Sequence, residues 1–201
     1  MSALSLARAS ARDTDPVLHS MPAWVYNHPQ MTRLELERIL KPSWQIACHV
    51  SALRRAGDYV SFQIGPESVL VVRDREGQIR GFHNICRHRG TRLLDGSGHC
   101  PGNIVCPYHG WSYRHDGALA GVAARDSFPG LDRSKLGLVP VRVDTAFGFV
   151  FVCLAGDPRP VGEVFAPLLK EFAPYRIPEM EPLGPITTEE WNCDWKLAID
   201  N

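Results

Sequence analysis

Two short segments constrain this chain more than any other part of it: Cys86-Arg87-His88-Arg89-Gly90 and Cys106-Pro107-Tyr108-His109-Gly110-Trp111. As spacing they read C-x-H, seventeen residues, then C-x-x-H. Thiolate and imidazole are donors for borderline and soft metals such as zinc, copper and iron. Each segment falls between predicted strands, so two loops projecting from a sheet can close over a centre and present two donors each. Zinc modules usually keep cysteines in one pair and histidines in another. Here each loop supplies one of each, an order explained by a binuclear centre with both thiolates on one metal and both imidazoles on the other. Gly90 and Gly110 lack side chains and let backbone N–H groups come close. Pro107, Tyr108 and Trp111 are placed to shield the centre from water.

The rest of the pattern supplies the sheet. Short apolar runs broken by turn residues predict strands over Trp44–Val50, Tyr59–Ile64, Ser68–Arg73, Ile79–Asn84, Asn103–Val105, Trp111–Tyr113, Val139–Val143 and Gly148–Leu154. Gly65-Pro66, Asp74 through Gly77 and Asp116-Gly117 are the turns between them. Many short strands with close turns suggest an antiparallel β-sandwich or barrel, in a chain that is mainly β with some α. The first twenty residues read as an arm. Thr32 and Glu35 then make a capping-box pattern, with Met31 and Leu36 as its hydrophobic staple. Leu34, Leu36, Ile39 and Leu40 give the helix an apolar side, and Pro42 follows it. Val164, Phe165, Leu168, Leu169 and Phe172 recur at helical spacing, followed by prolines 174, 178, 182 and 185 as a linker. Trp191, Cys193, Trp195, Leu197 and Ile199 alternate with polar residues, as in a strand entering a core. The expected division is 1–42 as arm and short helix, 43–160 as the metal-binding domain, and 161–201 as helix, linker and the truncated start of another domain.

Composition removes several function classes. Lysine plus arginine equals aspartate plus glutamate at 22 each, so the basic excess used to displace counterions from nucleic acid is missing. No apolar run approaches the roughly 20 residues of a bilayer span, and the start lacks the apolar core of a secretory signal. The cysteines Cys48, Cys86, Cys100, Cys106, Cys153 and Cys193 are thinly spread, which points to metal use in a reducing, cytoplasmic setting rather than to disulfides.

The CRHRG and CPYHGW segments resemble the Rieske motifs of the ring-hydroxylating oxygenases. Residues 43–160 are similar to the Rieske domain of that family's large (alpha) subunit. The resemblance implies one [2Fe–2S] cluster bound by Cys86, His88, Cys106 and His109, with the two histidines raising the potential into a range of roughly −150 to +300 mV. Rieske proteins of respiratory and photosynthetic complexes carry an extra, disulfide-forming cysteine in each loop. This chain has Thr91 and Tyr108 there. Trp191 through Asn201 is similar to the opening of the family's catalytic domain, whose mononuclear Fe(II), held by two histidines and a carboxylate, is expected only in a missing C-terminal part. The family implies an electron supply from a reductase, with or without a ferredoxin, dioxygen and an organic substrate, and a homotrimer or an α3β3 assembly. His109 matches the ligand that reaches the bridging acid. Catalytic residues are expected to be absent, so this chain alone is expected to hydroxylate nothing. Substrates across the family include aromatic hydrocarbons, aromatic acids and methylated amines, and an aromatic-ring-hydroxylating activity is the leading expectation.

Two other readings use the same residues. A freestanding Rieske ferredoxin is usually much shorter, and the helix before Trp44 and the Trp191–Asn201 segment argue against it. A zinc-stabilised binding module would be colourless. His19, His28, His49, His83, His99 and His115 lack motif spacing and read as surface or packed residues, with His83 near enough to support the first loop. Cys48, Cys153 and Cys193 read as buried thiols, and Trp191 and Trp195 as core. Arg87 and Arg89 orient the loop, meet an acidic electron donor or simply face solvent.

Overall fold

The computed structural model describes residues 21–184 and 189–199. Residues 33–190 form one compact unit; residues 21–32 and 191–199 belong to another.

The larger unit is mostly antiparallel sheet. Its strands are β1 (Gln45–His49), β2 (Asp58–Ile64), β3 (Glu67–Arg73), β4 (Ile79–His83), β5 (Ser97–His99), β6 (Ile104–Val105), β7 (Ser112–Tyr113), β8 (Leu119–Gly121), β9 (Pro140–Ala146) and β10 (Phe149–Cys153). Seven lie in one sheet in the order β1-β10-β9-β4-β3-β2-β5, and β6-β7-β8 make a second. The eight predicted strands are all present, and the half-barrel they build agrees with the mainly β expectation.

β3 shows why the sequence takes this form. Val69, Leu70, Val71 and Val72 are completely buried, as an apolar run covered on both faces must be. Because successive side chains point to opposite faces, the run serves two cores. Leu70 and Val72 join Phe82, Cys86, Leu93, Ile104, Cys106, Trp111 and Tyr113. Val69 and Val71 join Leu53, Val60, Val141, Val150 and Val152. Each such side chain contributes roughly 1.5–3 kcal/mol on burial. The first core holds both motif cysteines, so β3 shares a core with the loops. At its far end the β3–β4 hairpin is closed by Asp74, whose Oδ1 accepts from the N–H groups of Glu76 (3.0 Å) and Gln78 (2.8 Å).

Outside the sheet, three expectations are corrected. The helix α2 (Pro29–Glu35) starts earlier than the capping box implied, and Thr32 lies inside it. Pro29 occupies the first turn, where its missing N–H costs nothing. A wider π turn over Leu36–Leu40 follows, closed by the Lys41 N–H to Leu36 O at 2.9 Å. Leu36 and Leu40 pack on the second core, while Leu34 and Ile39 stay exposed. A short α1 (Trp24–Asn27) precedes it. The second predicted helix is broken into α3 (Val161–Val164), a 3-10 turn over Ala166–Leu168 and α4 (Leu169–Phe172), because Pro167 cannot donate a backbone bond. The third correction is the tail. Its alternation is not a strand: α5 (Trp195–Ile199) forms instead, its first turn capped by Asp194, which accepts from the Lys196 N–H at 3.0 Å. Cys193, predicted buried, is exposed, as is Trp191, and Trp195 is half-buried. Lys196 pairs with Asp194 at 2.7 Å and lies over the Tyr26 ring at 5.5 Å. The expected N-terminal arm, His19, Pro185, Asp200 and Asn201 lie outside the described residues.

Candidate metal centre

The two motif loops close in the same way. In the first, the Cys86 N–H donates to Thr91 O (2.8 Å) and the Gly90 N–H donates to Cys86 O (3.0 Å). In the second, the Cys106 N–H donates to Trp111 O (2.7 Å) and the Gly110 N–H donates to Cys106 O (3.0 Å). Each cysteine is thus fixed at both backbone groups by its own loop. The fifth residue of each turn is a glycine with φ +74 (Gly90) or +69 (Gly110), a region that side chains disfavour. A Cβ would meet only Ile85 or Ala123 at 3.7 Å, so among protein atoms it is the φ and not crowding that demands glycine.

This geometry gathers the predicted residues. Cys86 and Cys106 are both 3% exposed in one core cluster, and both are free thiols. The His88 and His109 rings lie 4.8 Å apart at 65°. Trp111 stacks on His88 at 4.8 Å and 7°, and Phe128 meets both rings edge-on at 5.6 Å. Tyr108 leans over His109 at 3.7 Å. Burial, the neighbouring His109 and then Arg89 hold the His88 imidazole below its ordinary pKa. Among the described residues no three His, Cys, Asp or Glu side chains converge on one point as a mononuclear ion requires. His109 Nδ1 is buried with no hydrogen-bond partner, as is Trp111 Nε1, and a buried imidazole nitrogen left without a proton partner is an open donor.

Three residues the sequence did not single out complete the site. Tyr113 is fully buried; its hydroxyl accepts from the Arg87 N–H at 3.0 Å and lies 3.3 Å from Cys86 Sγ. Burial, then the Cys86 contact, pushes its phenol above the ordinary tyrosine range. Asn84 is 1% exposed and brackets the first loop: Oδ1 accepts from the N–H groups of Leu93 (3.2 Å) and Leu94 (3.1 Å), and Nδ2 donates to Leu94 O (2.6 Å) and Ser68 Oγ (3.1 Å). Phe128 arrives on the 122–131 segment, which enters through Ala124 at φ +51. The sequence reads Asn84 and Tyr113 only as the ends of predicted strands, and no pattern marks Phe128. Tertiary contacts alone reveal them.

The other candidates disperse. Cys48 and Cys153 are buried, and burial pushes the Cys48 thiol up to about 12. Cys100 is half-buried with Sγ 3.3 Å from Asn103 O. His28 and His99 are exposed, His99 against Asp58 at 2.8 Å; His49 is half-buried and bonded to Ser51 and Ile177 O. His83 lies 3.7 Å from Glu67, and the loop support expected of it comes from Asn84. His115 is buried away from the loops.

A profile of the Rieske [2Fe–2S] domain matches residues 43–138. This stretch is a Rieske [2Fe–2S] domain. The chain around it is related to Rieske oxygenase subunits. It is 36% identical over 207 residues to the glycine betaine monooxygenase oxygenase subunit of Chromohalobacter salexigens, covering 100% of this chain and 46% of that one. It is 35% identical over 185 residues to the carnitine monooxygenase oxygenase subunit of Escherichia coli K12, covering 90% and 49%. Among solved structures, the quaternary ammonium Rieske monooxygenase CntA in complex with L-carnitine superposes with TM-score 0.82 at 29% identity, over 89% of this chain and 51% of that one. Naphthalene 1,2-dioxygenase from Rhodococcus sp. superposes with TM-score 0.67 at 33% identity, over 73% and 34%. The chain spans about half the length of the curated relatives it matches. Among the described residues no helix is long and apolar enough to cross a membrane.

Proposed function

We propose that Cys86, His88, Cys106 and His109 hold one [2Fe–2S] cluster, the cysteines on one iron and the histidines on the other, and that this chain is the electron-relay part of an oxygenase. The observation that carries the reading is the pair of identically closed loops, each presenting one buried thiol and one ring to the same place. When bound, such a cluster accepts and passes on single electrons.

The chain's own residues prepare the site. The closed turns fix both thiols before any metal arrives, so little ordering remains to be done on binding. Trp111 stacks on one face of the His88 ring and Phe128 meets it edge-on. Tyr113 anchors the Arg87 N–H, and toward a cluster-bound Cys86 thiolate, which has no proton to give, its hydroxyl would be the donor. His109 carries Tyr108 across its face at 3.7 Å and meets the His88 ring at 4.8 Å.

The full-length protein would receive electrons from a reductase and use a mononuclear iron outside this chain. The relatives that match most of this chain are named for glycine betaine, carnitine and choline, so its substrate class is a quaternary ammonium compound. An aromatic substrate is the second reading, supported by the naphthalene 1,2-dioxygenase superposition. Substrate-dependent oxygen uptake by the full-length protein with a competent reductase separates the two. Consumption with glycine betaine, choline or carnitine supports the first; consumption with naphthalene alone refutes it. The 201-residue chain is expected to become coloured and reducible yet hydroxylate neither.

A further inference from the structure

An indole N–H carries one proton and accepts nothing, so when buried it normally has a partner. Trp111 departs from this rule. It is 3% exposed, its Nε1 is closed to solvent, and among the described residues no atom accepts from it. The rest of the residue is committed. Its carbonyl accepts from the Cys106 N–H at 2.7 Å, its ring stacks on His88, and Phe128 meets it edge-on. The chain has five tryptophans, and Trp111 is the one in the core cluster that holds Cys86 and Cys106. Trp44, by contrast, gives its indole N–H to Arg159 O at 2.8 Å.

The acceptor that Trp111 lacks has a restricted origin. Because Nε1 is closed to solvent within this chain, neither bulk water nor a second protein surface reaches it while the ring stays on His88. The acceptor therefore lies in what the two loops enclose. Among the described residues one other side-chain atom at the loops is in the same state: His109 Nδ1, the open position on a proposed iron ligand. The His109 and Trp111 rings border the same His88 ring, each with its centroid 4.8 Å away. One occupant can satisfy both atoms if it offers a metal to the imidazole lone pair and an electron-rich sulfur to the indole proton. The rival acceptor is the π face of Phe128, at 5.6 Å and 82°, and N–H···π contacts are weak.

We infer that the Trp111 indole N–H donates a hydrogen bond to a sulfur of the cluster, which makes Trp111 a determinant of the reduction potential as well as a wall of the site. This rests on the electron-relay reading above and gives one residue of the second loop a role beyond packing. The proton stays on the indole nitrogen throughout. Its bond is stronger to the more negative sulfur of the reduced state, so it favours reduction and raises the potential.

The test uses the cluster-loaded chain carrying tryptophan labelled with nitrogen-15 at the indole, every other nitrogen being at natural abundance. Pulsed electron paramagnetic resonance of the reduced chain should show a nitrogen-15 coupling with an isotropic part, which requires spin density to cross a hydrogen bond. A ring stacked nearby without that bond, or one spent on Phe128, gives at most a dipolar coupling. Trp111→Phe keeps a ring beside His88 and should lose the coupling. Its ratio of reduced to oxidised cluster at a fixed ambient potential should fall about tenfold, equivalent to a potential about 59 mV lower for one electron. If that variant binds no cluster, the parent spectrum decides alone, since Trp111 is the one tryptophan in the cysteine-bearing core. A parent chain with no reduced-state signal refutes the electron-relay reading itself. A reducible parent without an isotropic nitrogen-15 coupling, or a Trp111→Phe chain with an unchanged ratio, overturns the indole bond and leaves the relay reading standing.

Discussion

Asn84 offers a sharp perturbation because its whole side chain is committed. Replacing it with alanine removes the acceptor for the Leu93 and Leu94 N–H groups and the donor to Leu94 O and Ser68 Oγ. A buried polar group left without a partner costs about 1–3 kcal/mol. Leu93 is buried and recovers no water, whereas Leu94 and Ser68 are partly exposed and recover some. The sum is therefore about 3 kcal/mol rather than the full total of four lost bonds. For a chain of this size each kcal/mol moves the melting temperature by about 2–4 °C, so Asn84→Ala should melt about 6–12 °C lower. The bonds tie the first loop to the sheet, so loss of cluster colour should coincide with that transition. Thermal melts followed in parallel by circular dichroism and visible absorption provide the assay. A shift under about 2 °C would show that the bracket contributes far less than its buried bonds imply.

Tyr113→Phe removes the hydroxyl beside Cys86 Sγ, and the reduction potential should fall by tens of millivolts, about 40 mV for each kcal/mol of lost stabilisation of the electron-rich sulfur; potentiometric titration measures it. His115 is 4% exposed, and burial followed by Arg75 holds its pKa below the ordinary histidine value. The unfolded chain therefore binds the proton more tightly, so stability is complete above about pH 6.5 and is lost as the pH falls below it, by up to about 1.4 kcal/mol per unit. His115→Phe should flatten that acid-side decline in melts across this range, and an unchanged slope would rule out His115 as its source. Gly90→Ala and Gly110→Ala should each cost about 1–2 kcal/mol through the left-handed backbone alone, read by denaturant titration.

How much was legible depended on range. β1 to β4, β9 and β10 were predictable because alternating apolar residues and turn formers act locally. β5 and β8 were not, since Ser97–His99 and Leu119–Gly121 are short and contain glycine, and β5 exists through pairing of Asp58 with His99 and Tyr59 with Gly98. The tail misled because an alternating stretch also fits an exposed short helix, and Asp194 as a cap decided the outcome. Cys86, His88, Cys106 and His109 stood out because thiol and imidazole at this spacing mark a candidate ligand set. The residues that hold and tune those loops were not, because Asn84, Tyr113 and Phe128 act across 10 to 40 positions of sequence. The proposed substrate class also moved, from aromatic rings to quaternary ammonium compounds, on the names of the relatives that match most of this chain.

The most direct test of the central claim is Mössbauer spectroscopy of the anaerobically purified, iron-57-enriched chain, together with iron and acid-labile sulfide determination. The account predicts iron and sulfide in equal amounts, two of each per chain, and two distinct iron environments of equal weight, one thiolate-bound and one imidazole-bound. A single iron environment, or stoichiometric zinc with no labile sulfide, would contradict it.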